Sequence, residues 1–300
     1  MNKIWKQRQG AKLRLAVNHA DTIKKAIEDS IDVPKVVDEW LNAHHTKEVT
    51  STQARQWAKV NIHVDNRPMD KALKYLYADS YSLGQDIALQ VLAKFSITKA
   101  APTLAQMRDA VNTNWKTWEP GHKAASLLLN PPSGLAKLLD SRGLTLVGLG
   151  DTTVSRIGTI LAGALQVGAT PSSVAGSIEG LLAPLRENIA EQLGADINLM
   201  MADSERALMI AQTEMSRAVS VANLEMYMDS GVELVEWLTA DPCDECQENE
   251  DVSPIGIGDT FPSGDTEPPA HPNCVCDIAP YVVDALNIGE DTLAFILEGN

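Results

Sequence analysis

The chain has 300 residues, 44% of them hydrophobic and 5% aromatic, and a formal net charge of −15. That apolar share supports a core of aliphatic helix packing, and the length suggests two domains. No apolar run reaches the ~20 residues of a membrane span, which excludes a helical membrane protein.

The charge is unevenly placed. Residues 1–130 carry 19 Lys and Arg against 13 Asp and Glu, a balance of +6, while residues 131–300 carry 6 against 27, a balance of −21. The second half therefore repels nucleic-acid phosphates, and any contact with DNA is expected from the first half. The opening residues, Met1 to Arg8, lack the apolar core of a secretory signal, so synthesis in the cytoplasm is expected.

In chain order, residues 2–14 come first. They contain Lys3, Lys6, Arg8, Lys12 and Arg14 with no acid, and read as a basic arm. A short basic end is commonly just solvated; its functional readings are DNA contact or docking on an acidic partner. From Ala16 to Ala43 the pattern is helical, with a break at Val33-Pro34, where Pro34 suits a first helical turn. His44-His45 reads as a polar surface pair. The run Met69 to Phe95 carries an aliphatic and aromatic stripe, including Leu73, Leu76, Tyr77, Tyr81, Ile87 and Leu92. Gly84 interrupts that run at a cost of ~1 kcal/mol relative to alanine. Pro102 to Trp118 predicts one more helix.

Asn130-Pro-Pro-Ser133 is the strongest linker signal, because two prolines block helix and strand alike. It sets the expected domains as 1–130, helical with the basic arm, and 131–300. After it, Ser133 caps a short helix ended by Gly143, and Leu144 to Gly150 reads as a short strand or loop. Asp151 or Thr152 caps a further helix bearing Val154, Ile157, Ile160 and Leu161. Thr170-Pro171 caps another, and a last one begins near Asp203-Ser204 and runs to Ser230-Gly231. A strand-like Glu233 to Thr239 follows. The fold class expected is mainly α, with the C-terminal domain ending in a small α+β knuckle over 241–280 that includes a β-hairpin.

All four cysteines fall between Asp203 and Pro280, with the one histidine that follows His122. Cys243-Asp-Glu-Cys246 is a C-x-x-C, the spacing that lets two thiolates of one turn bind one face of a tetrahedral metal. His271-Pro-Asn-Cys274 supplies a second pair after 24 intervening residues. In an extended segment Cys276 points to the same face as Cys274, so either can be the fourth ligand. In a reducing cytosol paired cysteines more often bind metal than form disulfides. The expectation is a structural zinc on Cys243, Cys246, His271 and Cys274, with Cys276 as the alternative ligand.

The same residues resemble a family. Ile210-Ala-Gln-Thr-Glu214, then Trp237, the C-x-x-C, and His271-Pro-Asn-Cys274-Val-Cys276 are similar to the C-terminal domain of the Mu F-like minor head, or head morphogenesis, proteins of tailed phages. The family pattern is a helix ending I-A-R-T-E, a glycine, a strand with tryptophan, C-x-x-C and a closing H-P-N-C-R-C. The resemblance covers roughly residues 135 to 283. Gln212 and Val275 stand where the pattern has arginine, so no role of those guanidinium groups carries over. Structural roles are expected for Thr213, Glu214 and Trp237; for Glu214 the alternatives are a surface carboxylate or a buried acceptor holding the knuckle backbone or Arg217.

What the resemblance implies is a non-enzymatic minor capsid component, made in the host cytoplasm and placed in the virion head near the portal. Its partners would be the portal protein and other head proteins, with DNA through the N-terminal arm as a further partner, and it would act in head assembly or in delivery of packaged DNA. Two readings of other classes compete with it. One is a zinc-dependent nuclease or hydrolase using Glu245, Glu248, Glu250 and Asp251, residues more simply read as a solvated hairpin insert. The other is a DNA-binding module built on the basic arm. No nucleophile elbow, Walker or Rossmann signature is present in the sequence.

Overall fold

The computed structural model describes residues 3–44, 50–94, 106, 110, 112–121, 123–166, 203–239 and 242–281. Their architecture is mainly helical, with one small antiparallel sheet. The helices are α1 (Lys3–Glu28), α2 (Val33–His44), α3 (Ser51–Asn61), α4 (Arg67–Lys94), α5 (Lys123–Leu129), α6 (Ser133–Gln166), α7 (Asp203–Asp229) and α8 (Asp244–Asp251). The strands are β1 (Leu234–Leu238), β2 (Ile255–Gly256) and β3 (Asp277–Pro280), in the order β2-β1-β3.

Local chemistry explains several of the helix ends. The Thr50 hydroxyl accepts from the Gln53 N–H at 3.3 Å and the Gln53 side chain accepts from the Thr50 N–H at 2.9 Å, a capping box that opens α3. Pro68 and Asp70 occupy the first turn of α4, where a missing donor and a negative charge are both favourable. Gly231, at φ 75°, closes α7: its N–H and that of Val232 bond the Met228 and Tyr227 carbonyls at 2.9 and 3.0 Å.

The chain divides into two compact units that interleave along the sequence. One comprises Met1–His19, Lys74–Asp140 and Met209–Asn300; the other comprises Ala20–Leu73 and Ser141–Leu208. This division does not follow the expected boundary at Pro131-Pro132. The two prolines do end α5 and precede α6, but the apolar stripe of α4 buries against α7 and not within the first 130 residues alone.

In the first unit α4 and α7 supply the core, with Leu76, Tyr77, Tyr81, Leu83, Ile87 and Leu92 buried on one and Ala211, Met215, Ala218, Val219 and Ala222 on the other. Gly84 does not break α4. A Cβ at this position would lie 2.5 Å from the Val219 carbonyl oxygen and 2.7 Å from Ala222 Cβ, so glycine is what lets the two helices touch. In the second unit α2, α3 and α6 share a core of Val36, Val37, Trp40, Ala54, Ala58, Val154, Ile157 and Leu161. Gly158 of α6 packs against the Arg55 backbone in the same way.

Three expected elements differ. The basic arm is the first half of a 26-residue helix. The break expected at Gly143 and the strand or loop over 144–150 are replaced by the continuous helix α6, which tertiary packing at Leu135 and Leu138 and again from Val154 to Leu161 sustains against the ~1 kcal/mol of each glycine. Of the helix expected over 102–118, residues 112–118 form turns that bury Trp115; the helix expected from Thr170 lies outside the described residues.

Candidate metal centre

The centre is assembled where α8 and the loop before β3 meet behind β1. β1 pairs antiparallel with both neighbours, Trp237 opposite Ile278 and Val235 opposite both Ile255 and Pro280. Cys243 is the N-cap residue of α8 with extended backbone, and Cys246 lies in its first turn. Backbone N–H groups of Cys246 and Glu245 point at the Cys243 sulfur, and the first of these is the main reason its pKa falls below that of a free thiol.

His271 comes from the loop. Its Nδ1 lies 2.9 Å from the Pro272 carbonyl, which raises its pKa and turns Nε2 toward the cysteines. Nε2 is 3.2 Å from Sγ of both Cys243 and Cys246, and Cys246 Sγ is 3.7 Å from Cys274 Sγ. The five donors form two triads that share Cys246. One is Cys243, Cys246 and His271, the other Cys246, Cys274 and Cys276, and within each the ligand atoms lie within 4.8 Å of one another. All four cysteines are free thiols, and all but Cys243 are buried. This cluster can hold a metal ion.

The thiols are electrostatically unequal. The neighbouring Cys276 thiol draws the Cys274 pKa down to about 5, while Cys274 in turn, with burial, pushes Cys276 up. Burial pushes Cys246 up to about 12. Such a buried group of sulfurs is poorly solvated as thiolates, and a divalent cation is the compensation that lets them all deprotonate.

Of the three side chains named from sequence, Thr213 contacts the ligand loop directly. Thr213 Oγ1 accepts the Asn273 N–H at 3.1 Å and donates to the Met209 carbonyl at 2.8 Å, so α7 fixes the turn between His271 and Cys274. Asn273 takes φ 62°, a conformation asparagine tolerates better than most residues. Glu214 is buried: it accepts from the Tyr77 hydroxyl at 2.7 Å and faces Arg217 Nε at 3.6 Å. Holding the knuckle backbone thus falls to Thr213, and Glu214 ties α4 to α7. Trp237 is fully buried and stacks edge-on to Phe261 at 4.9 Å, and its indole N–H has no hydrogen-bond partner among the described residues.

Sequence reading missed Asn249 and Ser253. Asn249 is fully buried, accepts from the Ser263 N–H and donates to its hydroxyl, both at 3.1 Å, and so pins the long loop to α8. Ser253 Oγ accepts the Trp237 N–H at 2.9 Å and donates to the Asn249 carbonyl at 3.0 Å. Neither lies in a pattern that sequence could flag, beyond being polar beside a candidate ligand turn.

The acids weighed for hydrolysis, expected on a hairpin insert, lie instead on the helix α8. Glu245, Glu248 and Asp251 are exposed, and Glu250 accepts from Thr239 at 2.5 Å. Among the described residues no carboxylate joins either metal-capable triad. Of the five basic residues of the arm, three are engaged within the first unit. Arg8 Nε and Nη2 bond Gln90 Oε1 at 3.1 and 2.6 Å, Lys12 pairs with Asp277 at 2.7 Å, and Arg14 donates to the Trp115 carbonyl. Lys6 is exposed, and the Lys3 side chain lies outside the description.

No helix among the described residues is long and apolar enough to cross a membrane. No protein-family model, curated protein or solved structure matches the chain.

Proposed function

We propose that the Cys/His cluster is a structural zinc site, and that the protein is a minor capsid, or head morphogenesis, component of a tailed phage, placed near the portal vertex. The observation that carries the zinc reading is the convergence of sequence-distant sulfur and imidazole donors with no carboxylate among them. The 3.7 Å between Cys246 and Cys274 equals the edge of a tetrahedron with metal–sulfur bonds of ~2.3 Å. The ligand atoms fall in two triads sharing Cys246, so one ion on Cys243, Cys246, His271 and either Cys274 or Cys276 needs the two triads to draw together. Such a four-ligand ion would have no open position, which favours scaffolding over hydrolysis. The phage reading rests on the resemblance of the ordered motifs to Mu F-like proteins; that Thr213, which lies in that pattern, holds the cluster's loop supports it.

The test has two parts. Elemental analysis of protein purified without chelator should return about one zinc per chain; metal near zero with two disulfides would sink the zinc reading. Assembled particles should contain the protein, co-purifying with portal and head proteins. Its absence from them would refute the virion role.

A further inference from the structure

The carboxylate of Asp277 is the link between the metal cluster and the far end of the chain. It follows Cys276 directly, opens β3 and is 4% exposed. Both of its oxygens are taken by α1: Oδ1 by Lys12 Nζ at 2.7 Å and Oδ2 by Gln9 Nε2 at 3.2 Å. The Lys12 side chain is itself 4% exposed, so this is a buried ion pair between residues 265 positions apart. Asp277 also faces Arg8 and the buried Tyr227 hydroxyl. One turn before Lys12, Arg8 is held by Gln90 and lies over the Trp115 ring at 5.7 Å.

We propose that α1 is a latch on the metal-binding loop: docking of Lys12 and Gln9 on Asp277 and capture of the metal by the neighbouring cysteines stabilise each other. The inference rests on the zinc reading above. Physically, a buried carboxylate is tolerated only while its cation is present, and removing one partner leaves an uncompensated charge. With Lys12 in place, β3 can stay paired with β1, Asp277 opposite Leu238 and beside Trp237, and Cys276 is held at the cluster. Without it, the favourable course for Asp277 is to move to water, carrying Cys276 and Cys274 with it. The coupling is reciprocal, since whatever factor the docked helix adds to metal affinity, the metal adds to helix docking.

The full chain is titrated with zinc against a chelating dye. Lys12→Met should weaken zinc binding about 10- to 100-fold, the range for groups that orient metal ligands. Gln9→Ala should weaken it less, and Asn18→Ala, exposed on the same helix, should leave it unchanged. In the unsubstituted protein, stripping zinc should speed amide exchange in residues 3–19, a measurement that stands even where Lys12→Met fails to fold. Zinc binding by the unsubstituted chain with unaltered affinity in Lys12→Met, or exchange in residues 3–19 that ignores zinc, overturns the latch alone. A chain that binds no zinc at all overturns the latch and the zinc reading together.

Discussion

Replacing Gly84 by alanine sets two known effects against each other. Helix propensity favours alanine by ~1 kcal/mol in a helix interior, and α4 is continuous through this position. The new methyl would sit 2.5 Å from the Val219 carbonyl oxygen, 2.7 Å from Ala222 Cβ and 3.0 Å from Val219 Cα. None of these atoms can rotate away, because two are backbone and the third is a Cβ. Carbon atoms pack best at ~3.5–4.0 Å, so the helices must separate by up to about 1 Å, and a gap of that size forfeits a quarter to a half of each dispersion contact. Overpacking of this kind costs ~1–3 kcal/mol, and rigid neighbours place Gly84→Ala at the upper end. Subtracting the propensity gain leaves a net loss of about 2 kcal/mol. Urea unfolding followed by helical circular dichroism should show the lower midpoint, with amide exchange accelerated in α4 and α7. Equal or greater stability of the variant would refute the close approach of the two helices.

Further expectations test the supports of the site and the rest of the fold. Thr213→Val removes the acceptor of the Asn273 N–H and should cost about 1 kcal/mol locally, read as a severalfold weaker zinc affinity by chelator competition; unchanged affinity would show that α7 does not position the loop. Tyr77→Phe strips buried Glu214 of its 2.7 Å donor and should destabilise by ~1–3 kcal/mol, with a double-mutant cycle against Glu214→Gln returning a coupling energy clear of zero. Arg67 holds the exposed Asp65 carboxyl down to about 2, so its contribution is present above the ordinary carboxylate value and lost as pH falls toward 2; NMR titration should find that low value, and Arg67→Ala should return it to ~4. Chelation of zinc should speed exchange over residues 242–281 while α2 and α3, which share their own apolar core with α6, stay protected. Global unfolding on chelation would contradict that division.

The sequence by itself determined what local backbone geometry dictates. The C-x-x-C spacing places two sulfurs on one side, and Cys243 and Cys246 stand so, although at the start of helix α8 and not in the turn the spacing suggested. Apolar periodicity located α2, α4 and α7, and a tryptophan-bearing strand located β1, because burial repeats with the period of the element. Tertiary structure decided the rest. Gly84 reads as a weak point of a helix until Val219 arrives against it. The glycines of α6 read as a break, yet packing on either side carries the helix through. Lys12 reads as one charge of a solvated arm, and only the fold brings it to Asp277, whose carboxylate it neutralises out of water. The donor atoms converge through pairings across 25 and more residues, and no period or spacing encodes which distant segment will supply a partner. That choice is made by the packing of the whole unit, where an unpaired buried charge or an unfilled gap costs more than any local preference can repay.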